Sequence, residues 1–202
     1  MKKEETQLKL TAKQQLLLQF AQLAHDGQTR KYTGEPYIAH PLTVGMTAQA
    51  YSIPFGFEIG ILHDVVEDCP EWSIDKVLAQ LVSCGYDKRD AIKIATHVLE
   101  LTDEYTKKDY PLLNRDQRKS MESVRLASVS SVAQSIKAID IIDNTRSIVA
   151  QDPGFAEVYL AEVHTLLELM EDAASSLRSY ALKLVTNHIT SNEFKKSIRA
   201  KS

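Results

Sequence analysis

The chain has 202 residues, of which 44% are hydrophobic, with a net charge of −3 and a pI of about 6.1. This length suffices for one well-packed domain, and the mild acidity lacks the basic excess of nucleic-acid-binding domains. No segment approaches the roughly 18 apolar residues of a membrane span, and no apolar stretch follows the N-terminal lysines as a signal peptide requires. Two cysteines fit a reducing cytoplasm. We therefore expect a cytoplasmic protein without nucleic-acid or membrane partners, and the sequence leaves monomer or homodimer open.

The composition predicts an all-α protein, because seven Gly and six Pro are few for this length and Leu, Ala, Gln, Glu and Lys are abundant. We expect a single helical domain over 11–190, with a tail at 1–10 and a flexible tail at 191–202. A capping box of Thr11 and Gln14 marks the first helix start, Gly85 is expected to end the helix before it, and Asp87 is expected to cap the helix that follows. The predicted helices are 12–25, 41–51, 55–67, 74–84, 88–101, 115–127, 131 to about 147, 154–172 and 173–189. The long polar loop 102–114 is of a kind that often carries function.

The loop 28–37 combines two cations, Arg30 and Lys31, with two tyrosines, Tyr32 and Tyr37. Such residues can hold a phosphate and stack a base, although a solvated loop has a similar composition. His40 precedes the proline that opens the next predicted helix, so its side chain is held where it can reach a neighbouring element.

The segment 61–68 places four polar residues in an apolar run: His63, Asp64, Glu67 and Asp68. In a continuous helix they crowd one side, since residues three and four apart are neighbours. Buried charges need partners, and a divalent cation is the simplest one. The alternative is a surface helix with a chance His-Asp pair. The other histidines have no neighbour at ligand spacing and are interpreted as structural: His25, His97, His164 and His188.

A second polar group lies in the apolar helix that starts near 131. Asp140 sits between two isoleucines, and Asn144 and Ser147 share its helix face. This pattern indicates a wall of a site, whereas the alternative is an Asp paired only with Lys137.

A basic cluster lies on the helix predicted over 115–127. Arg118, Lys119 and Arg125 either face a phosphate or form a solvated helix surface, and the sequence leaves both interpretations open.

Three ordered motifs resemble the hydrolase domain of the RelA/SpoT (Rel) family, within the HD phosphohydrolase superfamily. They are Arg30-Lys31 with Gly34-Glu35-Pro36-Tyr37-Ile38-Ala39-His40-Pro41, then Leu62-His63-Asp64-Val65-Val66-Glu67-Asp68, then Lys137-Ala138-Ile139-Asp140 with Asn144-Thr145-Arg146. The resemblance covers about 17–149, and helices over 153–190 follow it. Since the chain is too short for the family's synthetase and regulatory domains, it resembles the stand-alone small alarmone hydrolases.

The resemblance implies a metal-dependent 3′-pyrophosphohydrolase that converts (p)ppGpp to GDP or GTP and pyrophosphate, or acts likewise on an adenosine counterpart. It implies one Mn²⁺, although such mixed imidazole and carboxylate ligands also suit other divalent metals. The implied metal ligands are His40, His63, Asp64 and Asp140, and the implied catalytic acids are Glu67 and Asp68. The implied substrate contacts are Arg30, Lys31, Asn144, Arg146 and Ser147, with Tyr32, Arg118 and Lys119 aligned more loosely.

Three positions depart from the family pattern. Tyr32 lengthens the Arg-Lys loop by one residue, Asp143 stands where His or Tyr is usual, and Ala138 where Leu or Val is usual. These changes leave the metal ligands intact and the substrate open between guanosine and adenosine alarmones or another 3′-phosphorylated nucleotide. The alternatives are an HD phosphohydrolase for another nucleotide, such as a nucleotidase or phosphodiesterase, and a nucleotide-binding regulator without turnover.

Overall fold

The computed structural model describes residues 9–191, and this part of the chain folds into helices joined by short loops. The helices are α1 (Ala12–Ala24), α2 (Ala39–Ala50), α3 (Gly56–Leu62), α4 (Val65–Asp68), α5 (Ile74–Ser83), α6 (Lys88–Leu101), α7 (Arg115–Ala127), α8 (Ser131–Gln151), α9 (Pro153–Leu169) and α10 (Ser175–Thr190). The all-α prediction is confirmed for these residues, and none of these helices is long and apolar enough to cross a membrane. The predicted tails lie almost wholly outside the described residues.

Local capping signals fix several helix ends where the sequence predicts them. Thr11 forms the predicted capping box with Gln14, and the Asp87 side chain caps α6 by accepting from the Asp90 backbone N–H. Gly85 takes a positive φ of 92° after α5, the left-handed conformation that glycine adopts without strain. Each of these signals acts within four residues, so it does not depend on the rest of the fold.

Helix α8 is the centre of the bundle and packs against α2, α3, α6, α9 and α10. Its buried positions surround the helix instead of forming one stripe, as expected of a helix enclosed by neighbours. Four polar residues of α8 are therefore buried, where they need partners: Gln134, Ser135, Asp140 and Thr145.

Helices α2 and α3 cross at two glycines. A Cβ atom on Gly60 would lie 2.6 Å from both the Cα and the backbone N of Gly45, so only glycine allows this approach. The close crossing brings the first turn of α2 next to the end of α3.

The helix predicted over 55–67 is broken. Helix α3 ends at Leu62, and α4 begins only at Val65, so His63 and Asp64 lie in a turn between them. The prediction of one continuous helix is wrong at this point. The Gly60 carbonyl accepts a hydrogen bond of 2.7 Å from the His63 ring, which competes with the regular backbone ladder.

Other boundaries also differ from prediction, and α8 runs to Gln151, about four residues past its predicted end. Helix α2 begins at Ala39, which places His40 and Pro41 inside its first turn, where proline is tolerated. Helix α9 ends at Leu169, three residues early, and α10 starts again at Ser175 after a turn.

Candidate metal centre and active site

Two histidines from different elements meet at one point. His40 in α2 and His63 after α3 have ring centroids 5.3 Å apart, in an edge-to-face arrangement. Both side chains are buried. The contact between Gly45 and Gly60 accounts for this proximity, because it sets the distance between the two helices that carry the rings.

Two carboxylates complete the group. His40 Nε2 lies 3.1 Å from Asp140 Oδ1 and 3.7 Å from Asp64 Oδ2. His63 Nε2 lies 3.2 Å from Asp64 Oδ2 and 3.9 Å from Asp140 Oδ1. Ligands at about 2.1 Å from one metal ion are roughly 3.0–3.4 Å from their neighbours, which these spacings approach. The buried group of His40, His63 and Asp140 can therefore hold a metal ion.

The hydrogen bonds of the two imidazoles also suit a metal site. His63 Nδ1 lies 2.7 Å from the Gly60 carbonyl oxygen. His40 Nδ1 lies 2.7 Å from Asp143 Oδ2. A proton on each Nδ1 leaves both Nε2 lone pairs for coordination. His63 Nε2 is buried and has no hydrogen-bond partner among the described residues. A metal ion would satisfy this atom.

Charge balance in the metal-free protein is maintained by protons. Burial lowers the pKa of His40, but hydrogen bonds to Asp140 and Asp143 outweigh it and raise the pKa to about 10. The pKa of Asp140 is held well below its usual value, because Lys137 and His40 outweigh the effect of burial. In the metal-free protein, His40 therefore carries a second ring proton at neutral pH, and a metal ion would have to displace the proton on Nε2.

Each carboxylate of the group has its own partner. The Tyr37 hydroxyl donates to Asp64 Oδ2 at 2.8 Å. Lys137 Nζ lies 2.9 Å from Asp140 Oδ2, and the Asn144 amide donates to Asp140 Oδ1 at 2.6 Å. Asp140 thus pairs with Lys137, as the alternative interpretation expects, but it also faces His40.

The acidic pair Glu67 and Asp68 lies at the mouth of the group. Both side chains are accessible to water, yet the surrounding walls desolvate them in part. Desolvation and the nearby Asp103 raise the pKa of Glu67 to about 7. Desolvation and the charge of Asp64 also raise the pKa of Asp68. A carboxylate with a pKa near neutrality can accept a proton and release it again.

A cavity of about 140 Å³, lined by charged side chains of both signs, adjoins Asp140 between α7, α8 and α9. Lys119 in its wall lies 2.7 Å from Asp103, and Arg115 makes two hydrogen bonds of 2.7 and 2.9 Å to Glu162. Lys137 also lines the cavity, and its carboxylate neighbours keep its pKa above the usual value despite burial. The sequence pointed to Lys119 and to the pairing of Lys137 with Asp140, but it missed the roles of Arg115 and Asp103, since their convergence depends on how the helices pack.

The Arg-Lys loop closes over α8. An isolated bridge between Thr29 and Pro36 makes it a tight turn. Arg30 Nη1 donates to Asp143 at 2.8 Å, and Nη2 donates to Ser147 at 3.1 Å and to Asn144 at 3.5 Å.

Lys31 and Tyr32 follow Arg30 in this loop. Lys31 is exposed, with Nζ 4.8 Å from the centre of the Tyr32 ring. The Tyr32 hydroxyl donates to Asp152 at 3.3 Å, which fixes the side of the loop away from α2.

Two predicted substrate residues lie elsewhere. Arg146 is exposed and donates to the Tyr180 hydroxyl of α10 at 3.1 Å. Arg118 donates to the Leu113 carbonyl of the preceding loop and does not line the cavity beside Asp140. The sequence pattern gave no signal for either orientation, because both depend on α10 and on the conformation of the loop 102–114.

Sequence relatives share this region. A segment of 77 residues is 39% identical to the bifunctional (p)ppGpp synthase/hydrolase SpoT of Escherichia coli (strain K12), covering 35% of this chain and 11% of that protein. A segment of 52 residues is 44% identical to the guanosine-3′,5′-bis(diphosphate) 3′-pyrophosphohydrolase of Borreliella burgdorferi, covering 25% of this chain and 8% of the relative. The matches thus span about a tenth of these relatives. No family model matches the chain.

A solved structure shares the fold over most of its length. It belongs to a metazoan orthologue of SpoT described as hydrolysing ppGpp and acting in starvation responses, with a TM-score of 0.72 at 22% identity over 90% of this chain and 98% of the other. The structural match shows that the chain shares this helical fold, and the sequence matches show similarity to ppGpp hydrolases over a quarter to about a third of the chain. The structure brings the implied metal ligands His40, His63, Asp64 and Asp140 into one cluster.

Proposed function

We propose that the protein is a Mn²⁺-dependent 3′-pyrophosphohydrolase of guanosine or adenosine alarmones. The observation that carries the proposal is the convergence of four donor atoms from His40, His63, Asp64 and Asp140, beside an acidic pair and a cavity that contains Arg115, Lys119 and Lys137. The names of the sequence relatives and the structural neighbour support the substrate class. Mixed imidazole and carboxylate ligands support Mn²⁺ as the cation.

The proposed reaction is hydrolysis of the 3′ ester bond. A water oxygen bonds to the phosphorus next to the 3′ oxygen, the bond from phosphorus to that oxygen breaks, and the 3′ oxygen takes a proton. The products are the nucleoside 5′-diphosphate or 5′-triphosphate and pyrophosphate. When bound, a divalent cation supplies Lewis acidity that lowers the pKa of water and neutralises phosphate charge.

The side chains around the cluster divide the remaining work. Glu67 accepts the proton of the attacking water, because its raised pKa of about 7 suits a general base at neutral pH. Asp68 lies beside it and orients that water. The cations of the adjoining cavity, Lys119 and Arg115, bind the departing pyrophosphate.

The nucleoside end of the substrate is assigned to the Arg-Lys loop. Arg30, Lys31 and Tyr32 lie on that loop, and Asn144 and Ser147 face it from α8. Arg146 and Arg118 are left out of this set, since their hydrogen bonds direct them to Tyr180 and Leu113.

A product assay tests the proposal. The protein with Mn²⁺ is incubated separately with ppGpp and ppApp, and pyrophosphate is measured with and without chelator. We expect chelator-sensitive release, and the ratio of the two rates identifies the preferred base. His63→Ala should abolish release, while His164→Ala, a half-buried histidine of α9 outside the site, should retain it. Metal binding without release from either nucleotide would refute the hydrolase and favour a nucleotide-binding regulator.

A further inference from the structure

Asp143 connects the metal cluster to the Arg-Lys loop. One carboxylate oxygen, Oδ2, lies 2.7 Å from His40 Nδ1 and 2.8 Å from Arg30 Nη1. The side chain is only 15% exposed, so few waters can replace these contacts. The sequence leaves the role of this acidic residue open, and the structure gives it two specific partners.

The contact with His40 determines which ring nitrogen can bind a metal. The His40 side chain is 3% exposed, and Asp143 is the hydrogen-bond partner of its Nδ1 among the described residues. A carboxylate at Nδ1 keeps the proton on that nitrogen and fixes the ring plane, which turns the Nε2 lone pair toward Asp140 and Asp64.

Arg30 holds the carboxylate in place from the other side. Its guanidinium donates to Asp143 and also to Ser147, so the Asp143 rotamer is fixed between a cation and an imidazole. Asn144, which donates to Asp140, accepts a further bond from Arg30 at 3.5 Å. Two hydrogen-bonded paths therefore run from Arg30 to two members of the metal cluster.

We propose that Asp143 is a positioning residue of the metal centre, whose carboxylate, anchored by Arg30, holds the His40 ring in its metal-binding orientation. The inference rests on the metal site of the proposed function and is independent of the nucleotide substrate. It predicts that changes at Asp143 weaken metal binding even though this side chain does not itself bind the metal.

Mn²⁺ affinity measured without substrate tests the role. Free Mn²⁺ is followed by electron paramagnetic resonance during titration of the wild type, Asp143→Asn and Asp143→Leu. Loss of such a partner typically weakens metal binding 10- to 100-fold, so we expect about that loss for Asp143→Leu. Asp143→Asn keeps an acceptor oxygen and should rescue part of the affinity. Asp172→Asn makes the same charge change at an exposed site and should bind like the wild type.

A second measurement separates positioning from general loss of structure. In the Zn²⁺-loaded wild type, the His40 Nδ1 proton should give a downfield NMR signal from its short bond to the carboxylate. The signal should move upfield in Asp143→Asn, while thermal unfolding of the metal-free variant stays cooperative. Asp143 variants that bind Mn²⁺ within twofold of the wild type, or that leave the signal unmoved, would overturn the role alone. A wild type that binds no Mn²⁺ would overturn both this role and the metal site.

Discussion

Replacing Gly60 with alanine tests how far the metal site depends on the crossing of α2 and α3. The added Cβ would lie 2.6 Å from the Cα and N of Gly45 and 3.0 Å from the carbonyl carbon of Val44. These are backbone atoms, so no side chain can rotate away. Carbon contacts are comfortable at about 3.5–4.0 Å, and the two helices must therefore separate by about 1 Å.

The energetic cost follows from two opposing effects. Overpacking of a buried contact costs about 1–3 kcal/mol, and the upper end applies here because the backbone must move. Alanine in a helix recovers about 0.5–1 kcal/mol relative to glycine. We expect a net loss of about 2 kcal/mol. Metal binding should weaken more than folding, because metal–ligand distances tolerate changes of only about 0.2 Å. His40 lies on α2 and His63 follows α3, so separating the two helices moves the two rings apart.

Urea denaturation followed by tryptophan fluorescence measures the stability change. The single tryptophan, Trp72, packs edge-on against Phe20 at 4.5 Å and reports loss of the core. Gly154→Ala is the matched control, since its Cβ would meet only Asp152 Oδ1 at 3.8 Å, and it should be neutral or slightly stabilising. A Gly60→Ala protein with wild-type stability and wild-type Mn²⁺ affinity would refute the reasoning.

Three further predictions concern the chemistry of the cluster. Because the His40 pKa is raised to about 10, its proton stabilises the metal-free fold fully below pH 6.5 and this stability is lost as pH rises through about 10. Mn²⁺ must displace that proton, so its apparent affinity should rise about tenfold per pH unit near neutrality. The buffer should take up the released proton, which calorimetry detects, and a pH-independent affinity would contradict this prediction. Glu67→Gln should lower turnover by about 10²–10⁴-fold while Mn²⁺ affinity stays unchanged, whereas a matching loss of affinity would make Glu67 a ligand. Lys137→Met removes the lysine partner of buried Asp140. The free energy of unfolding of the metal-free protein should fall by about 3 kcal/mol, since breaking a buried ion pair is expensive. An unchanged urea midpoint would count against the pair.

The sequence predicted those parts of the fold that depend on local chemistry. The capping signals at Thr11, Asp87 and Gly85 and the loop 102–114 are found where expected, because each is determined by neighbouring residues. The break at His63 and Asp64 was not predictable from pattern, since these residues continue an apolar run with helical spacing. It depends on a side-chain hydrogen bond to Gly60 and on the packing of α2.

The same distinction applies to the site. The residues that resemble the family ligands do converge, and the turn places His63 and Asp64 on one side, although adjacent residues of a regular helix diverge. The contacts of Tyr37, Asp103 and Asp143 come from packing between distant segments and carry no sequence signal of their own. The direction of Arg146 likewise depends on Tyr180, which lies 34 residues further along the chain.

The proposed metal donors lie far apart in sequence, from position 40 on α2 to position 140 on α8. An unfolded chain cannot assemble such a group, so the cation would bind only the folded protein. Binding to the folded form alone adds about 2.7 kcal/mol of stability when the free ligand is at 100 times its dissociation constant. The fraction of molecules open to proteases then falls about 100-fold. The lifetime of the protein in a cell, as well as its chemistry, would follow the supply of the metal.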